Sequence, residues 1–330
     1  MIGRLASMIP GAAFGLALLA GAIGHAAAQY PDRPLRMVAP WPPGSTTDGS
    51  ARIVSDALSK RLAQKVLVEN RPGANGTIGS TFVARAPADG YMLLMANGDT
   101  HSISPHIYKA LPYDALKNFD PVALVATASF VLIARPGLAE GTLQEVIAAA
   151  KRNPKKLTYG TWGIGSAGHV AFALLESAAG IQMVHVPFQG AAPALAALMG
   201  DQVDLMIGSP LAAYANAPSG KVKVLGAASA RRVTPWLPDV RTFAEQGLQG
   251  AEAGSWYGVV GPAGMPGEIR RRLAGEISAS LADPAVAKPI SAFGWHVAVD
   301  AKPEAFGAFM KAELERFGTI VRAKGIEKED

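Results

Sequence analysis

The chain has 330 residues, 31 Lys and Arg against 26 Asp and Glu, a formal net charge of +5 and no cysteine. The missing cysteine excludes disulfides, thiolate metal sites and a lipid anchor on an N-terminal thiol. No Lys/Arg cluster is interleaved with aromatics, so nucleic acid is not an expected partner, and the densest basic run, Arg270-Arg271-Arg272, shares a helical pattern with Leu273 and Ile277 that reads as a solvated face.

The first 28 residues read as an export signal. One charge, Arg4, precedes an apolar run from Leu5 to about Gly24, and Ala26-Ala27-Ala28 stands before Gln29. A basic start, an apolar core and a small-residue end predict a signal peptide cleaved near Ala28. A transmembrane anchor is the alternative reading, against which stand Pro10, Gly11 and the cleavage-like end. No later segment is long and apolar enough to span a bilayer. Loss of Arg4 takes the charge from +5 to +4, and residues 29–330 suffice for two domains. A free soluble protein outside the cytoplasm is expected.

Short β-like runs then alternate with helix-like segments. Leu35–Ala39 is a strand, and Pro40–Asp48 (PWPPGSTTD) is the loop after it. Ala51, Val54, Leu58 and Leu62 recur at helical spacing, with Thr47 or Asp48 as N-cap. Gly44 lets backbone approach a ligand, Ser45, Thr46 and Thr47 offer hydroxyls, and the helix start offers free N–H groups, so the loop suits an anion. An ordinary strand–helix connection is the plainer reading of the loop alone. Val66–Glu69 and Tyr91–Met95 are the next strands, the second followed by the polar loop Asn97–Thr100. Leu124–Ala134 is a long apolar run, and Thr142 caps a helix ending near Asn153. Leu157–Tyr159, a Gly-rich loop and a helix from Ser166 to Ala179 follow, then Val184–Val186, Ala191–Met199, Val203–Ile207, Val222–Ala227 and Trp256–Val260. The rest is mainly helical. Strands alternating with helices imply an α/β fold with parallel βαβ units. Such sheets bind ligands beyond the carboxyl ends of their strands, which directs attention to the loops after them.

Enzyme signatures are weak. Gly163–Gly168 matches G-x-G-x-x-G, but no acid for a ribose follows about 20 residues on, as a dinucleotide site needs. Around Ser166 the hydrolase pattern G-x-S-x-G fails at Ile164. His101, His106, His169 and His185 show no metal spacing, and no carboxylate pair is set for acid–base work. The anion-cradle reading of Gly165–His169 survives, because Ser166 can cap the helix while its N–H groups face the loop mouth. His185, in an apolar strand, reads as core.

Nine motifs in order carry a family resemblance: PWPPGSTTD, ENRPGANGTIG (Glu69–Gly79), DGYMLLM (Asp89–Met95), LPYD (Leu111–Asp114), YGTWGIGSAGH (Tyr159–His169), HVPFQG (His185–Gly190), GDQVDLM (Gly200–Met206), LPDVRTFAEQG (Leu237–Gly247) and SWYGVVGPAGMP (Ser255–Pro266). From about Tyr30 onward the chain resembles the substrate-binding receptors of tripartite tricarboxylate transporters, the Bug family. The resemblance implies a type II periplasmic binding protein: α/β, with two α/β domains joined by two crossovers around a ligand cleft. Residues 29–129 and 252–330 would form domain 1 and 130–251 domain 2, crossing near Thr127–Val131 and Gly250–Ser255. It also implies a small carboxylate ligand held by backbone N–H groups, hydroxyls and waters, with delivery to membrane transporter subunits and no cofactor or metal. The candidate ligand residues are Trp41, Gly44, Ser45, Thr46, Thr47, Asp48, Asn97, Trp162, Ser166, Ala167, His169 and Ser209. A secreted hydrolase is the competing class, and a receptor serving a membrane sensor would share the cleft.

Departures from the family pattern bear on the ligand. Trp41 and Trp162 stand where smaller or other side chains are usual, Ser45-Thr46 replaces Gly-Ala, and Phe188-Gln189 replaces Tyr-Lys. Gly208 stands where an acid is common, which is expected to leave the cleft without a charge for an ammonium. Two Trp walls with a cradle at each end suit a flat ring bearing carboxylates. The expected ligand is an aromatic mono- or dicarboxylate of the phthalate or terephthalate kind, the alternative an aliphatic di- or tricarboxylate such as citrate.

Overall fold

The computed structural model describes residues 30–299 and 302–324. The expected signal peptide, 1–28, lies outside them. Two sheets organise the chain. The first part supplies β1 (Leu35–Ala39), α1 (Thr46–Leu62), β2 (Val66–Asn70), α2 (Thr77–Ala84), β3 (Met92–Asn97), α3 (Ser104–Ile107) and β4 (Phe119–Ser129). The middle supplies β5 (Val131–Ala134), α4 (Leu143–Arg152), β6 (Thr158–Thr161), α5 (Ala167–Ala179), β7 (Val184–Pro187), α6 (Ala191–Met199), β8 (Leu205–Gly208), α7 (Pro210–Asn216) and β9 (Lys223–Ala227). The last part returns as β10 (Gly254–Pro262), α8 (Gly267–Leu281), α9 (Pro284–Ser291), β11 (Trp295–Val297) and α10 (Pro303–Lys324).

The strand orders are β11-β4-β10-β3-β1-β2 and β7-β6-β8-β5-β9. Pairing is parallel within β1, β2 and β3 and within β6, β7 and β8. These are the parallel βαβ units that strand–helix alternation implies, and each sheet also holds antiparallel strands. β10 runs antiparallel between β3 and β4, and β5 antiparallel between β8 and β9. The reason is the crossing itself: a chain that leaves one sheet for the other and comes back runs against the strand that took it out. Only Phe130 separates β4 from β5. Its carbonyl accepts the Ala228 N–H at 2.9 Å, and the Ala228 carbonyl accepts the Ala253 N–H at 2.6 Å, so the outgoing and returning chains lie side by side.

Helix α1 buries Ala51, Val54, Leu58 and Leu62, the positions its spacing picks out. Its N-cap is Ser45 rather than Thr47 or Asp48: the Ser45 hydroxyl accepts the Asp48 N–H at 3.2 Å. The helix starts earlier because Asp48 then sits in its first turn, where the helix dipole favours an anion. Helix α10 packs on both sheets. Phe306 and Met310 join Trp256 and Phe119 in the core of the first, whereas Phe317 and Val321 join Val170, Leu174 and Ile207 in the second. No helix among the described residues is long and apolar enough to cross a membrane.

Candidate functional site

Between the two sheets lies a cavity of about 330 Å³. The loop after β1 supplies Trp41, Pro42, Pro43 and Gly44–Thr47, and the end of β3 supplies Asn97 and Asp99 beyond it. The second sheet and its loops supply Trp162, Gln189–Pro193, Leu195, Met206, Gly208, Ser209 and Ala212. Phe130 enters from the crossing, and Tyr257 and Trp295 enter from β10 and β11. No Lys, Arg or His lines the cavity among the described residues, so an anion here would be held by N–H groups and hydroxyls.

The first turn of α1 forms one polar end. The Thr46 and Thr47 N–H groups have no intrahelical carbonyl to bond, as in any helix start. The Thr46 hydroxyl lies 3.3 Å from the Tyr257 hydroxyl, and the Asn97 amide donates to Thr47 Oγ1 at 3.5 Å. Gly44 sits at a φ of +81°, a left-handed conformation open to glycine that turns the loop into the helix. Asp48 does not line the cavity. Its carboxylate accepts from the Gly44 N–H at 2.9 Å, the Asn70 amide at 2.8 Å and Arg52 Nε at 3.1 Å. Burial works to raise its pKa, but Arg52, the Gly44 N–H and Asn70 outweigh it and hold the carboxyl below its ordinary range. Asp48 therefore fixes the shape of the loop.

The aromatic walls are held from both sheets. Tyr257 stacks on Trp295 with centroids 3.9 Å apart, and Trp162 meets Phe130 edge-on at 5.6 Å. Trp41 is buried, and its indole N–H has no protein partner. Trp41, Pro42, Trp162 and Gln189 also line a second cavity of about 540 Å³, so they form the wall the two share.

The start of α5 differs from the expected open cradle. Ser166 is fully buried and spent on capping: its hydroxyl accepts the His169 N–H at 3.3 Å. His169 accepts the Gly165 N–H at 3.1 Å and stacks on His185 at 4.1 Å; burial lowers its pKa. The Ala167 N–H donates to Asp99 Oδ1 at 2.6 Å, and the Trp162 indole donates to the same oxygen at 3.2 Å. Burial pushes the Asp99 carboxyl above its ordinary range, outweighing the two N–H donors that pull it down. Of the twelve residues singled out from sequence, Trp41, Gly44, Ser45, Thr46, Thr47, Asn97, Trp162 and Ser209 line the cavity, whereas Asp48, Ser166, Ala167 and His169 do not. His185 is half-buried on an edge strand rather than core, because β7 ends its sheet.

Sequence reasoning missed Asp99, Phe130, Tyr257, Trp295 and the start of α6. Asp99 was visible as an acid in a loop after a strand. Gly208 had suggested a cleft without an acid; Asp99 supplies one from the opposite sheet. Nothing local marks Phe130, Tyr257 or Trp295 as cavity residues, because they reach it from the crossing and from antiparallel strands.

Two α/β lobes, doubly connected, with a largely apolar cavity between them and helix starts at its rim, define a solute-binding receptor. The family model described as "Tripartite tricarboxylate transporter family receptor" matches residues 50–326, and the chain belongs to that family. It is a periplasmic solute-binding receptor of the Bug type and not an enzyme, which removes the secreted hydrolase. A Pseudomonas sp. (strain P51) relative, "UPF0065 protein in tcbD-tcbE intergenic region", is 37% identical over 88% of this chain and 86% of its own. The solved periplasmic binding protein BugD is 36% identical with a TM-score of 0.84, covering 91% of this chain and 100% of its own. R. palustris Rpa4515, solved with adipate, is 29% identical with a TM-score of 0.86 over 91% of this chain and 100% of its own.

Proposed function

We propose that this receptor captures an aromatic carboxylate and delivers it to the membrane subunits of a tripartite transporter. The observation that carries the reading is the cavity wall: Trp41, Phe130, Trp162, Tyr257 and Trp295 surround about 330 Å³ that no basic side chain enters among the described residues. A cavity of ~150 Å³ accepts benzene, so this one has room for a substituted ring. The ring would stack against the walls while its carboxylate takes the Thr46 and Thr47 N–H groups, where the helix dipole favours negative charge. The unpartnered Trp41 indole N–H offers a further donor to a ligand acceptor. In this reading the signal peptide is cleaved near Ala28, and the mature chain works as a monomer with domains split at 129/130 and 251/252.

Calorimetry with benzoate, terephthalate, citrate and glutamate tests it. Aromatic carboxylates are expected to bind tightest, and Trp41→Ala to weaken them by about 1–3 kcal/mol, from lost ring contact and burial. Tighter citrate, or unchanged aromatic binding in Trp41→Ala, refutes the aromatic assignment. An aliphatic carboxylate is the second reading, favoured by the adipate in Rpa4515.

A further inference from the structure

The start of α5 already holds a carboxylate, and it is the protein's own. Asp99 is 3% exposed and follows β3 of the first sheet, yet its Oδ1 takes the Ala167 N–H at 2.6 Å and the Trp162 indole N–H at 3.2 Å, both from the second sheet's lobe. It is also the only acidic or basic side chain lining the cavity among the described residues. Two N–H donors converge on one of its oxygens at a helix N-terminus, so the α5 start has an acceptor built in, although burial outweighs them and pushes the Asp99 carboxyl up. The cradle that a second ligand carboxylate would need is therefore taken: the Ala167 and Trp162 N–H groups already have their acceptor, and a second carboxylate brought there would find neither of them free and no basic side chain beside it. The other Asp99 oxygen makes neither of these two bonds.

We propose that Asp99 is a specificity-determining residue: it fills the α5 cradle, so the preferred ligand carries a single carboxylate for α1 and a hydrogen-bond donor, such as a hydroxyl or amine, at the end facing Asp99. The proposal rests on the receptor reading above but not on the aromatic one. It turns the chain from a dicarboxylate receptor into one for a hydroxy- or amino-substituted monocarboxylate.

The test is calorimetry of the purified protein with two matched pairs: 4-hydroxybenzoate against terephthalate, and 6-hydroxyhexanoate against adipate. In whichever pair binds, the hydroxy acid is expected to bind at least about tenfold tighter than the diacid, the equivalent of ~1.4 kcal/mol. Asp99→Asn keeps an oxygen for the Ala167 and Trp162 N–H groups while turning the other oxygen into an N–H donor, and is expected to shrink that ratio about tenfold or more. A wild-type preference for the diacid overturns the proposal without any variant. So does an unchanged ratio in an Asp99→Asn protein whose melting temperature matches the parent. Binding confined to the aliphatic pair removes the aromatic reading and leaves Asp99 to be judged by the ratio in that pair. Binding of neither pair overturns both.

Discussion

A methyl group at Gly168 tests how the Trp162 wall is held. An ideal Cβ at this position falls 2.7 Å from Trp162 Cζ3 and 2.8 Å from Cη2, where relaxed carbon contacts lie at ~3.5–4.0 Å. The ring must shift by roughly 1 Å, and it is rigid, so it moves as a body. Two contacts resist: its N–H bond to Asp99 at 3.2 Å and its edge-on packing against Phe130. Overpacking of this kind costs about 1–3 kcal/mol. Alanine in a helix recovers at most about 1 kcal/mol over glycine. If the shift breaks the bond to the Asp99 carboxylate, about 1.5–3 kcal/mol more is lost. Gly168→Ala is therefore expected to lower stability by about 1–3 kcal/mol in urea titrations and to weaken ligand binding about tenfold or more in calorimetry, since the displaced ring lines the cavity. A variant that is stabilised and binds as the parent does would refute the account, by showing that α5 does not set the ring's position.

Two further outcomes separate structural from ligand roles. Ser166→Ala removes the α5 cap and is expected to cost about 0.5–2 kcal/mol of stability with ligand affinity unchanged, measured by urea unfolding and calorimetry on the same preparation. Burial pushes the pKa of fully buried His101 down to about 3, so the unfolded chain takes a proton from near pH 6.5 that the folded chain refuses. Stability present above that pH is lost as pH falls toward 3, at up to about 1.4 kcal/mol per pH unit for this group. His101→Gln should flatten the fall between pH 6 and 4 seen in urea titrations; an equal slope would count against it.

Much of the fold was legible because its signals are local. The β3 run is continuously apolar from Met92 to Ala96 since both its faces are covered, and α1 shows a 3.6-residue period since only one face is. The antiparallel strands were not legible. β4 and β5 read as one run, Leu124–Ala134, because Phe130 at the crossing is as apolar and as buried as its neighbours. The chain changes sheet there without a turn residue to mark it. Nor does periodicity tell which sheet a helix face covers, and α10 gives its first half to one and its second half to the other.

The site was half legible for a different reason. A capping residue announces that a helix begins and that N–H groups are free, and Ser45 and Ser166 announce this equally well: both caps accept the N–H three residues on. What separates α1 from α5 is the partner of those N–H groups. At α5 it is Asp99, 68 positions away in sequence and brought in by the other sheet. No window of sequence around Ser166 contains that carboxylate, so the two starts look alike until the lobes are placed together. The same distance explains Trp162. Its ring is fixed by Asp99 and Phe130, one before the crossing and one at it, and so its use as a wall depends on the lobes being closed over it. The acceptor at α5 thus comes from a contact between the lobes, which is why the loop motifs alone suggested two equivalent cradles where the folded chain leaves the N–H groups of one already bonded.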